Sequence, residues 1–199
     1  MTALLWAGAA GTAIFVLTFT IDGATRSGYH PARHPVSALA LGRRGWVQTT
    51  NFILCGSLVT LAAVAVPPAA DSILLALPIG GFGLALIASG VFPMDPMRGY
   101  PPGTPNKTPT SFSRRHQLHD GAGAAVFGAM PLLAFVGAWA LDGVLRWLSL
   151  VVGIALVGLV VGFGTAWEKD SPRAGLVQRG AIVLGWAWLT LLFGSLASG

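Results

Sequence analysis

The chain has 199 residues, 54% of them apolar and 10% charged, with a formal net charge of +5 and a mean hydropathy of +0.70. That balance excludes an ordinary soluble domain, where about a quarter of the residues are charged, and leaves an integral membrane protein. The positive charge calls for no nucleic-acid partner, because membrane topology and anionic headgroups account for it.

Uncharged runs at about 4–21, 46–66, 72–94, 121–141, 147–167 and 180–198 are each about 18 residues or longer, enough to cross a hydrocarbon core of roughly 30 Å as helices. Strands of a membrane barrel alternate in polarity, whereas LVVGIALVGLVVGFGTAW is apolar throughout, so a barrel is excluded. The expected fold class is all-α: one transmembrane domain over 1–199, a polytopic bundle of six helices with loops 1, 3 and 5 gathered on one face. The first run lacks a basic leader region and reads as a retained helix.

Asp22 closes the first span, and the loop after it, DGATRSGYHPARHPVSALALGRRGW, carries His30 and His34. A proline follows each histidine and disfavours the α conformation before it, so the pair does not share a helical face. The segment is expected to fold over the bundle mouth, followed by an amphipathic stretch, VSALALG, lying in the interface with Ser37 on it. Cys55, alone of its kind, falls inside the second span and reads as a small packing residue. Loop 2 (PPAAD) and loop 4 are short hairpin links. Glycines 80, 81 and 83, like Gly158 and Gly162, are expected to mark close contacts between helices of one chain.

The third span ends in FPMDP, where prolines stop the helix and present Asp95 at the membrane surface. The Pro- and Thr-rich stretch 101–111 reads as a mobile tip. In RRHQLHDGAG, a helix starting near Ser113 sets His116, His119, Asp120 and Gly123 on one face, with Gly123 admitting a close neighbour. Two imidazoles and a carboxylate at the edge of an apolar run suit proton transfer or metal ligation. Near the sixth span, Arg179 in GLVQRG is a candidate clamp for an anion or a carboxylate. Trp46, Trp147 and Trp167 lie near span ends, as amphipathic rings do. Trp186 and Trp188 are deeper, and Trp186 is the candidate to line a substrate cavity, against a plainer role in lipid contact.

Ten of the twelve Lys and Arg residues lie in loops 1, 3 and 5. The positive-inside rule therefore places those loops in the cytoplasm and both termini outside.

DGATRSGYHPARHPVSALALG, then GW and NFILCG, then FPMDP, HQLHD and GLVQR, in that order along nearly the whole chain, resembles the six-span bacterial membrane proteins grouped as the domain-of-unknown-function 998 family. The resemblance implies six helices with their polar motifs at one end, and it brings neither an activity nor a metal. It marks Asp22, His34, Ser37, Asp95, His119 and Asp120 as the polar signature, with His30 and His116 less characteristic. A looser likeness runs to membrane hydrolases of the alkaline ceramidase type, which hold zinc with three histidines beside a Ser and an Asp. The spacings and the span count here depart from that pattern.

The function expected from these readings is acid–base chemistry on a lipophilic substrate, a membrane lipid or another lipophilic small molecule, by isomerisation, cyclisation or hydrolysis. Asp22, His34, Asp95, His119 and Asp120 are the candidate catalytic residues, and Ser37, Arg179 and Trp186 the candidate substrate contacts. No cofactor and no metal are assigned, a zinc-dependent hydrolase being the less favoured alternative. A non-catalytic lipid-binding, scrambling or regulatory protein is the main competing reading, followed by a transporter, which ionisable groups missing from mid-span disfavour. The state of assembly is left open.

Overall fold

The computed structural model describes residues 1–199 and is entirely helical apart from one isolated β-bridge, Met97 to Tyr100. Seven α-helices follow in order: α1 (Thr2–Ala24), α2 (Gly45–Ala63), α3 (Val66–Ala70), α4 (Ile73–Val91), α5 (Arg114–Ala140), α6 (Gly143–Glu168) and α7 (Ala174–Ser198). All but α3 are long and apolar enough to cross a membrane, so this is a multi-pass integral membrane protein of six spans. Ser72 caps α4 and Ser113 caps α5, each accepting a hydrogen bond from a backbone N–H of the first turn.

The six long helices form a closed ring in chain order: α1 packs on α2, α2 on α4, α4 on α5, α5 on α6, α6 on α7, and α7 back on α1. Phe15 stacks on Trp186 at 5.0 Å between ring centres, and Phe82 meets the same indole edge-on at 4.9 Å. These rings from α1, α4 and α7 fill the axis. Apolar side chains on the outside, such as Trp147, Val151 and Ile154 of α6, are exposed as lipid-facing residues are.

Several local expectations are revised. Loop 2 is not a bare link: α2 stops at Ala63 because Pro67 and Pro68 have no N–H to continue its ladder, and they instead open the short helix α3. VSALALG does not lie in the interface. It forms a 3-10 turn, Val36–Ala40, whose Val36, Ala38 and Leu39 are buried among the helices. The 101–111 stretch is folded back on loop 3 itself, with Arg98 N–H donating to the Lys107 carbonyl and Gly99 N–H to that of Pro105.

Glycine acts differently in different places. A Cβ on Gly83 would strike Thr60 and Gly56 of α2, the close approach its position suggests. At Gly137 it would meet Trp188 at 2.9 Å, and at Gly153 it would meet Phe135 at 3.0 Å. Gly123, Gly128, Gly158 and Gly164, however, face open space. The expected tight seam at Gly123 and Gly158 is therefore absent. Helices α5 and α6 touch closely toward loop 4 and part toward loops 3 and 5, with Pro131 between the two halves of α5.

Candidate functional site

Loops 1, 3 and 5 interlock at the wide end of the α5–α6 crevice. Arg33 donates to Asn106 Oδ1 at 2.8 Å and faces Asp170 at 3.6 Å. Arg98 pairs with Asp170 at 3.3 Å, donates to the Trp167 carbonyl at 2.8 Å and lies 3.8 Å over the Trp167 ring. Trp167 is thus not a free interfacial ring, because a guanidinium covers its face.

Four of the candidate residues are committed to this framework. Asp22 is 3% exposed and binds two guanidinium groups, Arg26 through one oxygen and Arg44 through the other at 2.6 Å. His34 accepts from the His30 N–H at Nδ1, 3.0 Å, which leaves its proton on Nε2 facing the Arg98 carbonyl at 3.2 Å. Burial holds its pKa below the ordinary histidine value, against the Arg98 carbonyl, which favours the charged form. Arg179 donates to the Pro31, His34 and Gly175 carbonyls and to the Tyr29 hydroxyl. Burial pushes the Tyr29 phenol up to about 12 despite that guanidinium. Asp95 accepts from both the N–H and the hydroxyl of Ser113, each at 2.7 Å, and so braces the cap of α5. Burial would raise its pKa, but those bonds and His116 hold it below the usual carboxylate range.

His119 is held differently. Its Nδ1 lies 2.7 Å from the Phe92 carbonyl and 3.2 Å from that of Ser89, at the C-terminal end of α4. A carbonyl only accepts, so Nδ1 carries the proton, and the Nε2 lone pair has no partner in the protein. One turn earlier, His116 accepts the Asp95 N–H at Nδ1, 2.9 Å, and turns its Nε2 to Asp120 at 3.2 Å. Asp120 is 62% exposed, with one oxygen tied and the carboxylate at the rim.

His119 and Asp120 line a cavity of about 450 Å³ together with Ser37 and Met94 from loops 1 and 3, Phe127 of α5, Phe163 and Trp167 of α6, and Gln178 of α7. It opens beside Ala124, Gly128 and Gly164, which are exposed on the two splayed helices. A smaller chamber of about 40 Å³ continues inward, sharing Ser37, His119, Phe127 and Gln178 and bounded by Phe15, Phe52 and Trp186. Trp186 and Trp188 are both buried, which replaces the lipid-contact reading. The Trp188 indole donates to Ser149 at 3.0 Å, while the Trp186 N–H has no partner.

The structure therefore places Ser37 and His119 on both chambers, Asp120 on the larger and Trp186 on the smaller, and sets Asp22, His34, Asp95 and Arg179 in the surrounding framework. Gln178 belongs to the cavity and was not singled out by sequence. His116 reaches Asp120 across the i,i+4 spacing of the helix face they share. No three His, Cys, Asp or Glu side chains converge closely enough to share a metal ion.

The family model described as "Protein of unknown function (DUF998)" matches residues 9–194. No curated protein and no solved structure matches the chain.

Proposed function

The chain belongs to the DUF998 family, and from that premise we propose that it is a membrane enzyme in which His119 exchanges a proton with a lipophilic substrate arriving from the bilayer. The observation that carries this reading is the bare Nε2 of His119. Two carbonyls fix the imidazole in the tautomer that leaves a basic nitrogen facing an apolar cavity. A neutral imidazole held in one orientation is suited to act as a general base and then to return the proton.

Access from the side agrees with the crevice between α5 and α6, whose walls are glycine, alanine and valine where it meets the outside. A volume of about 450 Å³ falls within the range of roughly 300–1,000 Å³ common for small-molecule sites. In this reading Asp120 is the second proton carrier at the rim, and His116 positions it. Ser37 and Gln178 orient the substrate. Asp22, His34, Asp95 and Arg179 hold the loops that roof the site. The reactions open to such a site are isomerisation, cyclisation and hydrolysis by proton transfer, and the loops lie on the cytoplasmic side.

A second reading has one observation in its favour. Arg43, Arg114, Arg115, Lys169 and Arg173 are exposed and have no acidic partner, a distribution that attracts anionic headgroups and suits a lipid-binding protein without turnover.

Vesicles of total lipid extract carrying wild type or His119→Gln, followed by untargeted mass spectrometry, separate the two. A lipid consumed by wild type and spared at least ~100-fold by the variant, with unchanged melting in detergent, is the expected result. No turnover by either protein sinks the enzyme reading, and equal turnover by both removes His119 from its chemistry.

A further inference from the structure

Free hydrogen-bonding groups in the cavity have a definite polarity. The Val36 N–H donates to Gln178 Oε1 at 2.7 Å, and because an N–H only donates, the amide is fixed with its NH₂ toward the cavity. That NH₂ bonds nothing in the protein. The Trp186 N–H is also unpartnered, on a residue 1% exposed at the wall of the inner chamber. The Ser37 hydroxyl has only the Met94 sulfur, at 3.5 Å, a weak acceptor. Two unpartnered neutral donors, on Gln178 and Trp186, thus share the two chambers with the lone pair of His119 Nε2 and with the Ser37 hydroxyl, which can donate or accept.

Charge gives the complementary half of the description. No Lys or Arg lines either chamber, and the one charged group there, Asp120, is anionic. Arg179, the nearest cationic candidate by sequence, spends its donors on the Pro31, His34 and Gly175 carbonyls and on Tyr29. A phosphate or carboxylate moved into such a site would lose its water without gaining a counter-charge. An indole N–H left without a partner in a protein interior is costly unless something supplies an acceptor. Much of the remaining wall is apolar, with Phe15, Phe52, Phe127 and Phe163 beside Met94 and Val160, surfaces for chain or ring carbons.

From this we infer that the site takes a neutral lipid bearing a carbonyl oxygen, inserted carbonyl first, and not a lipid with an anionic headgroup. The oxygen accepts from Gln178 Nε2 and Trp186 Nε1, and the carbon or hydroxyl next to it faces His119. This rests on the site of the proposed enzyme, but its test requires binding alone. A carbonyl held by two donors has a more acidic neighbouring C–H, the proton that His119 is placed to remove. That proton passes to Nε2 while the C–H electron pair moves into the carbonyl as an enolate, and reprotonation at carbon regenerates the neutral imidazole.

The probe is a long-chain 2-alkanone labelled with ¹³C at the carbonyl, bound to the full chain in detergent at pH 8, with the fatty acid and alkyl phosphate of equal length as competitors. The expected result is ketone binding at least ~10-fold tighter than either anion, with the labelled stretch moved to lower wavenumber. Trp186→Phe keeps the ring and removes the N–H. Gln178→Glu keeps an acceptor for Val36 and removes the donor. Each is expected to weaken ketone binding about 3- to 10-fold, the size of one hydrogen bond, and to reverse part of the infrared shift. Anions that bind as tightly as the ketone, a ketone that fails to bind, or a shift unmoved by both variants overturns the inference. Ketone binding without turnover in vesicles would leave it standing while the enzyme reading falls, and turnover of an anionic lipid would do the reverse.

Discussion

His34 and His119 are both buried imidazoles, and their hydrogen bonds give them opposite capacities. His34 has a partner on each nitrogen, the His30 N–H and the Arg98 carbonyl, so a second proton has nowhere to go without breaking the first bond. Its pKa is depressed, chiefly by burial. The neutral ring therefore stabilises the loops fully above the unfolded-state value of about 6.5, and that contribution is lost as pH falls toward the lower folded value, because the unfolded chain takes up the proton first. Protection factors over 29–36, the exchange rates corrected for their intrinsic fall with pH, are expected to drop below about pH 6.5, and His34→Gln to flatten the response. Protection factors that stay level through that window would remove His34 as the latch. At this scale sequence marked residue types well and partners poorly. Asp120 and His119 stood out beside an apolar run, but whether a histidine keeps a free lone pair depends on carbonyls such as that of Phe92, which local pattern does not place. Gln178 went unnoticed because an amide next to an arginine at a helix start is unremarkable until its oxygen is seen to be occupied.

Helices α5 and α6 carry the access route, and their glycines separate into two populations. Gly128 faces open space at the mouth, while a Cβ on Gly137 would meet Trp188 at 2.9 Å. Gly128→Leu is expected to leave the melting temperature unchanged or higher, since helix propensity favours it by up to ~1 kcal/mol, while slowing substrate access. Gly137→Leu, by contrast, is expected to cost about 1–3 kcal/mol through overpacking. Differential scanning of both variants checks this, and a Gly128→Leu protein that melts like Gly137→Leu would mean that the crevice is closed. The spans themselves were legible, because runs of that length and polarity permit little else. The sense of the small-residue pattern was not: glycine lets helices approach but does not make them do so, and the gap at Gly123 depends on what α4 and α7 do to the helices on either side.

Around the whole ring, charge asymmetry sets the expected orientation, with loops 1, 3 and 5 on the cytoplasmic side. Cys55 is buried, so cysteines introduced at Lys107 and Asp142 report without interference. Lys107→Cys is expected to react with an impermeant maleimide only in inverted vesicles, and Asp142→Cys only in intact cells; the opposite pattern would turn the protein over. Ring closure in chain order also has a consequence in time. Loop 1 leaves the ribosome early, yet the groups that hold its backbone, the Leu176 N–H on the Ala32 carbonyl and Arg179 on those of Pro31 and His34, are made with the last helix. During synthesis the roof over His119 therefore lacks its α7 fastenings until that helix arrives. A chain stopped short of α7 has five spans to insert and no enclosed chamber, so the final helix acts as the keystone.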